Sequence, residues 1–353
     1  MSPGSYVSTF LFVVGGLLGG AVVGGQENPC RGVELNLQAA AEALENGQWG
    51  DAEAFLQPLV IPYPDCSGVV VSLARLRAAQ DDPAEAERLF SRAVMLAPDD
   101  AVAHALFARF QLSRGLLSQA GNLTAQALAI DPNCPEALVV RGKILGERGL
   151  FGEVRAALEK AVALDPNSYE AQHELGVWFF RVNLFEQAAR RFEAAVALRP
   201  QRARTLDYLA LSLEMLGDGE QAERYYREAL DANTGSFFDS SLDFNFGRFL
   251  LKQGRFEESL PHINRAVTLH PLRRGPRYQR AKWHLVQGNY ESARQDAERA
   301  FALGKPGDLV LDVQVYYLLA TIYSRLGEAE LAKEYAELAR TTEIPEHVED
   351  RRR

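Results

Sequence analysis

Five basic residues stand in two series whose members are 34 residues apart. The first series is Arg75, Arg109 and Lys143, and the second is Arg248 and Lys282. Lysine and arginine side chains carry a positive charge and only hydrogen-bond donors, so a row of them suits carboxylates on a binding partner. The chain as a whole is acidic, with 47 Asp and Glu residues against 38 Lys and Arg and a net charge of −9. The row is therefore a positively charged region in a chain whose net charge is negative.

Mostly apolar residues flank the basic row at helical spacing. Residues three and four apart lie on the same side of a helix, so the flanking and basic side chains share one helix face. Besides the five basic residues, we predict that this binding surface contains Leu112, His173, Val177, Phe180, Leu211, Phe244, Tyr278 and Tyr317. Val177 and Leu211 interrupt the row, which predicts two basic patches around an apolar centre formed with Phe180. A second interpretation stays open, in which the charges form a solvated helix face and the aromatic residues belong to the core.

The interval of 34 also governs residues that shape the backbone and the packing. Proline recurs at positions 64, 98, 132, 166 and 200. One alanine column contains Ala52, Ala86, Ala120, Ala188 and Ala222, with Val154 in the missing position, and another contains Ala93, Ala127, Ala161, Ala195 and Ala229. A fixed period of this size is typical of a solenoid built from stacked supersecondary units.

Residues 169–202 show what one unit contains. Apolar residues recur at helical intervals on both sides of a break at Asn183, and the second helical run ends before Pro200, which cannot continue a helix. The unit is therefore a helix-turn-helix. Asn183 stands where the chain leaves the first helix, and Gly and Asn best tolerate a left-handed backbone there. The equivalent residues are Gly47, Asp81, Gly115, Gly149, Gly217, Gly254, Gly288 and Gly327. We expect Gly176 and Ala188 to be small because the two helices cross there, beside Phe192.

These residues carry a resemblance to a known family. Leu175, Gly176, Phe179, Ala188, Phe192, Ala195 and Pro200 match the tetratricopeptide repeat motif within one unit. Nine such repeats can be placed over residues 33–346, with insertions near 237–239 and 308–312, and residues 347–353 form a polar tail. The resemblance implies an all-α, right-handed superhelical solenoid of about nine helix-turn-helix repeats, whose first helices line a concave groove. It also implies a non-catalytic scaffold that binds a protein or peptide in that groove. The basic row between apolar residues predicts a partner with acidic and large apolar side chains.

The first 25 residues differ in composition from the repeats. Residues 9–25 are apolar, uncharged and rich in glycine, as in the core of a secretory signal peptide. A short membrane anchor is the alternative, and Gly16, Gly20 and Gly24 have the spacing that lets membrane helices approach closely. Residues 26–32 form a pre-repeat segment. Both alternatives predict a protein that is exported, to a periplasm or outside the cell, or anchored facing outward, and only residues 9–25, if uncleaved, would contact the membrane.

The three cysteines are Cys30, Cys66 and Cys134. Cys30 lies just before the first helix of the first repeat and Cys66 lies just after its second helix, and an antiparallel hairpin brings those two ends together. In an oxidising compartment this arrangement permits a Cys30–Cys66 disulfide. Two unpaired buried thiols are the alternative. We expect Cys134 to be structural.

Several classes of function are disfavoured by the sequence. The acidic composition lacks the basic footprint of nucleic-acid binding. His173-Glu174 is not followed by a second histidine one turn later, so the zinc-protease spacing is absent, and no phosphate-binding glycine loop follows a strand. We therefore predict no catalytic residues, metal or cofactor. The oligomeric state stays open, as do two further roles: a membrane-anchored, self-associating assembly factor and a regulatory subunit of a separate enzyme.

Overall fold

A computed structural model of the chain describes residues 30–234, 239–304 and 310–342. Within these residues the chain forms eighteen α-helices and no strand. They are α1 Glu34–Glu45, α2 Trp49–Val60, α3 Ser67–Ala79, α4 Pro83–Leu96, α5 Ala101–Ser113, α6 Leu117–Ile130, α7 Pro135–Glu147, α8 Phe151–Leu164, α9 Tyr169–Arg181, α10 Phe185–Leu198, α11 Ala203–Leu216, α12 Gly219–Ala232, α13 Leu242–Lys252, α14 Phe256–Leu269, α15 Arg274–Val286, α16 Tyr290–Ala302, α17 Asp312–Leu326 and α18 Ala329–Thr341. The predicted all-α helical repeat solenoid is confirmed, with nine helix pairs.

The turn inside each helix pair has the predicted left-handed backbone. All nine residues of that column have positive φ, from 60° at Asn183 and 61° at Asp81 to 85° at Gly217. After Asn183 the backbone N–H of Leu184 donates to the carbonyl oxygen of Phe179 at 2.9 Å, which closes the end of the first helix. The left-handed residue thus satisfies a helix end and reverses the chain within a few residues.

The small residues lie where helices touch. A Cβ atom on Gly176 would stand 2.7 Å from Cε1 of Phe192, which is fully buried. The same holds at Gly142, where a Cβ atom would stand 2.8 Å from Cγ of Leu158. Members of the two alanine columns are buried throughout the described residues, with Ala188 and its equivalents almost without exposed surface. The two columns therefore set how closely neighbouring helices pack.

The helices form two compact units, one ending at Glu174 and the other beginning at Leu175, inside α9. In the first unit, Phe90 stacks on Phe107 with ring centroids 5.4 Å apart and also contacts Phe110. In the second unit, Tyr226 occupies a comparable place against Phe246 and Phe249. Aromatic clusters thus fill the space left between alanine-lined helix crossings.

A disulfide closes the first helix pair. The Sγ atoms of Cys30 and Cys66 are bonded at 2.10 Å, and Cys66 caps the start of α3. Cys134 is buried outside any disulfide, and burial raises the pKa of its thiol to about 12. Its thiol is therefore protonated and poorly reactive at neutral pH.

Two sequence predictions concern residues outside the described part. The predicted signal peptide or anchor at residues 1–25 and the polar tail lie there, and part of each predicted insertion does so too. Of the described helices, none combines the length and the apolar character that a membrane span requires.

Candidate functional site

The first helix of each pair carries the residues that we predicted to bind a partner, and we call the side of these helices that bears the basic row the first-helix face. In the first unit, each basic residue of the row has a carboxylate nearby. The nitrogen–oxygen distances are 3.9 Å from Arg75 to Glu45, 3.9 Å from Arg109 to Glu170 and 2.7 Å from Lys143 to Glu174. Each pair joins two different first helices. The pairs of Arg75 and Lys143 link neighbouring repeats, whereas the pair of Arg109 links α5 to α9, two repeats further along.

In the second unit, Arg248 of α13 is bound even more firmly. Its Nη1 and Nη2 atoms donate to Oε1 and Oε2 of Glu214 in α11 at 3.0 and 2.6 Å. The hydroxyl of Tyr226 also donates to Glu214, at 3.1 Å, and the Nζ atom of Lys252 lies 3.4 Å from it. The Glu214 side chain is 4% exposed. Burial raises its pKa, but the hydrogen bonds and charge of Arg248 outweigh that effect and hold the pKa below its ordinary value.

The two predicted basic patches also contain acidic side chains, which the prediction did not include. Glu45, Glu170, Glu174 and Glu214 lie 3.9 Å or less from four of the five basic side chains. The prediction rested on one position of each repeat, where no acid occurs, and it missed acids at other positions of the same helices. The signal was present, because Glu214 lies at a flanking position of the predicted face.

Several predicted apolar contacts are part of the core. His173 and Val177 are 7% and 8% exposed, so they offer almost no surface to a partner. Leu112 packs against a buried cluster around Ala108. Phe180 is half-buried and meets the ring of Tyr208 edge-on at 5.5 Å. For these residues the interpretation as core describes their surroundings better than the interpretation as binding site.

Leu211 and Phe244 are half-buried in the second unit, on α11 and α13. Near them lies a residue that the repeat pattern did not indicate. Asp207 of α11 is 3% exposed, and its Oδ2 atom accepts a 2.8 Å hydrogen bond from Nδ2 of Asn245. Burial raises the pKa of Asp207 to about 7, more than the hydrogen bond from Asn245 lowers it. A titratable carboxyl therefore joins two first helices.

The remaining predicted residues of the second unit come together around a cleft. The cleft has a volume of about 330 Å³, and the described residues that line it all belong to α15 and α17: Tyr278, Lys282, Leu285, Val286, Gln314, Tyr317, Leu318 and Thr321. Tyr317 and Val286 are each 57% exposed, whereas Leu318 is buried. We call this site the α15–α17 cleft. It unites three of the predicted residues, Tyr278, Lys282 and Tyr317.

Lys282 differs from the other basic residues of the row. In the described part of the chain no carboxylate forms an ion pair with it, and its Nζ atom stands 5.7 Å from the ring centroid of Tyr278. Partial desolvation lowers the pKa of the Lys282 amine, and the nearby charge of Arg248 lowers it further. The cleft thus holds a positive charge whose local counter-charge is missing among the described residues.

No group of described residues has the side chains to hold a metal ion. The α15–α17 cleft is formed mainly by aromatic and aliphatic side chains, with one cation. Such a surface offers apolar contact area and a single charged contact, which is how protein-binding sites commonly combine affinity with orientation.

Solved structures with the same fold share little sequence with this chain. The human IFIT1 dimer with PPP-AAAA is 19% identical, with a TM-score of 0.56 over 87% of this chain and 72% of that one. The APC/C hetero-tetramer Cut9–Hcn1 is 15% identical, with a TM-score of 0.68 over 86% of this chain, which spans 57% of the matched chain. At these identities the likeness shows the fold alone. No curated protein sequence matches this chain.

Models of the tetratricopeptide repeat match most of the described residues. One covers residues 37–101, 173–237 and 244–300, a second covers residues 77–144, and a third covers residues 313–339. Together with the helix pairs, these matches confirm the resemblance found in the sequence and identify a protein-interaction scaffold. The chain belongs to the tetratricopeptide repeat family.

Proposed function

We propose that this scaffold binds a segment of a partner protein on the first-helix face, with the α15–α17 cleft as its principal contact. The observation that carries the proposal is that every described residue lining the cleft belongs to a first helix, with Tyr317 and Val286 exposed. Exposed aromatic and aliphatic side chains around a pocket supply most of the energy of many protein interfaces. The ion pairs elsewhere on the face leave apolar contact, rather than a long basic row, as the main source of affinity.

Photo-crosslinking from the first-helix face tests this proposal. A photoreactive amino acid replaces Val286 or Tyr317 in the full chain expressed in its native host, and Glu153 and Asp231, exposed on the second helices α8 and α12, provide matched controls. We expect one adduct of defined mass from Val286 and Tyr317, and none from the controls. Adducts from all four positions, or from the controls alone, would contradict binding on the first-helix face.

We also propose that the body of the protein works outside the cytoplasm, by export or by anchoring. The apolar run at residues 9–25 motivates this proposal, and the Cys30–Cys66 bond supports it because disulfides persist in oxidising compartments. Fractionation of the native host with amino-terminal sequencing of the mature chain provides the test. We expect either a chain that begins near residue 26 or a full-length chain in the membrane fraction. A full-length chain in the soluble cytoplasmic fraction would contradict the proposal.

A further inference from the structure

Lys282 and its surroundings define what the α15–α17 cleft recognises. We infer that the cleft binds one large apolar side chain of the partner together with a carboxylate from the adjoining residue, and that Lys282 binds the carboxylate. This inference rests on the proposed function and adds the chemistry of the partner segment to it. The three observations that support it are the apolar lining, the supply of hydrogen-bond donors and the charge of the cleft.

The size and lining of the cleft suit one side chain. Its volume of about 330 Å³ lies at the lower end of the roughly 300–1,000 Å³ range of small-ligand pockets. Five of its eight lining residues are aliphatic or aromatic: Tyr278, Leu285, Val286, Tyr317 and Leu318. A leucine, isoleucine or phenylalanine side chain would therefore lose its water contacts here, at a gain of roughly 25 cal/mol for each Å² of apolar surface buried.

Two polar side chains of the lining, Gln314 and Lys282, have N–H donors that no described residue engages, whereas the hydroxyl of Thr321 is already used. The Oε1 atom of Gln314 already accepts the backbone N–H of Leu311 at 2.8 Å, which leaves its amide N–H groups for a ligand. The hydroxyl of Thr321 already donates to the carbonyl oxygen of Tyr317 at 2.8 Å. Lys282 adds three N–H donors, and none of the described lining residues is acidic. Donors without a neighbouring carboxylate favour an acceptor with negative charge.

The state of the Lys282 amine also favours a carboxylate. The amine is already partly desolvated against Tyr278, so a ligand meets less of the usual dehydration cost when it approaches. A carboxylate placed there would replace the missing counter-charge and restore the pKa of the amine toward its ordinary value. Arg248, by contrast, is already hydrogen-bonded to Glu214, so it has little capacity left to bind a carboxylate of the partner.

Short capped dipeptides test the inference without knowledge of the partner. The probes are acetyl-Leu-Glu-amide, acetyl-Leu-Gln-amide and acetyl-Gly-Glu-amide, and the methyl resonances of Leu285, Val286 and Leu318 in the full chain report binding. We expect the Leu-Glu probe to bind roughly threefold to fivefold more tightly than the Leu-Gln probe, which is the upper part of the range for a partly exposed ion pair. The Gly-Glu probe, which lacks the apolar side chain, should shift these resonances least.

Two variants separate charge from apolar contact. Lys282→Met keeps an apolar stem but removes the charge, so it should abolish the preference for Glu over Gln. Lys333→Met is the matched control, because Lys333 is an exposed lysine of α18 outside the cleft, and it should leave the preference unchanged. Equal binding of the Glu and Gln probes to the unaltered protein would overturn the inference, as would a preference that survives Lys282→Met.

The outcome is separable from that of the proposed function. If crosslinks form from Val286 and Tyr317 but the dipeptides show no Glu preference, partner binding on the first-helix face stands and the assigned chemistry of the cleft is wrong. If the dipeptides bind as expected but no crosslink forms from either position, the cleft recognises this chemistry without serving the proposed partner. Each result thus contradicts one statement and leaves the other intact.

Discussion

Gly176 provides a sharp test of how closely the helices approach. A Cβ atom at this position would lie 2.7, 2.8 and 3.0 Å from three ring atoms of Phe192, whose ring is fully buried and has nowhere to move. Overpacking of this kind costs about 1–3 kcal/mol, and a rigid ring places the cost in the upper part of that range. Alanine regains about 1 kcal/mol through its higher helix propensity. We therefore expect Gly176→Ala to lower the free energy of unfolding by about 2 kcal/mol.

Gly146→Ala is the matched control. Gly146 also lies in a first helix, α7, but a Cβ atom there would meet nothing within 4 Å. At this position the substitution should change stability only through the higher helix propensity of alanine. The effect is reduced because Gly146 lies in the last turn, so we expect a stabilisation of about 0.5 kcal/mol. Replacing glycine by alanine is thus expected to lower the free energy of unfolding at Gly176 and to raise it at Gly146.

A double-mutant cycle completes the experiment. Phe192→Leu alone should lower the free energy of unfolding by about 1 kcal/mol, because it leaves a small cavity. The double variant with Gly176→Ala should lose less stability than the sum of the two single variants, because the smaller leucine side chain leaves room for the new methyl group. Urea unfolding followed by far-UV circular dichroism and by tryptophan fluorescence provides the free energies. If Gly176→Ala stabilises the protein as Gly146→Ala does, or the two changes in the cycle are additive, close helix contact is not the reason for the glycine.

Three further predictions concern charged groups and the disulfide. Arg248→Met should destabilise the protein by about 3 kcal/mol in thermal or urea unfolding, because it leaves the buried Glu214 carboxylate without its main partner. Adding Glu214→Gln should recover part of this loss. Equal loss of stability in the single and the double variant would refute the prediction. Cys30→Ser should lower the free energy of unfolding by about 3 kcal/mol. Mass spectrometry of a non-reduced digest of the exported protein should find Cys30 linked to Cys66. Two free thiols in that digest would contradict the pairing. The folded-state pKa of Asp207, about 7, exceeds its ordinary value of 3.8, so its contribution to stability is present below about pH 4 and is lost as the pH rises to 7. Asp207→Asn should therefore gain stability relative to the unaltered protein between pH 5 and pH 8 in thermal unfolding, and a difference that does not change with pH would exclude the buried carboxyl as the titrating group.

The fold was predictable from the sequence because its requirements are local and repeated. A left-handed backbone tolerates few residue types, so residue type and spacing alone were enough to place Asn183 and Asp81 in the glycine column. A helix crossing likewise requires a small residue wherever it occurs, as at Gly176. Nine copies of these local rules make the repeat evident even where a single copy is degenerate.

The site was predictable only in part, because it depends on pairs of residues far apart in the chain. Glu174 approaches Lys143 across two first helices, and one position read in isolation cannot show which acid will reach which base. The free charge of Lys282 and the open space beside Tyr317 depend on what neighbouring side chains leave uncovered. Such properties emerge from packing and not from spacing.

The ion pairs between first helices limit how this array could have grown or shrunk by whole repeats. A deletion of residues 135–168 would remove one complete helix pair and keep the period, yet it would take Lys143 away from Glu174. A duplication would in the same way add a second Lys143 for one Glu174. Because the two partners of each ion pair lie in different repeats, one repeat cannot replace another without changing these pairs. A chain with a repeat lost or gained would need compensating charge changes at the new junction to restore them.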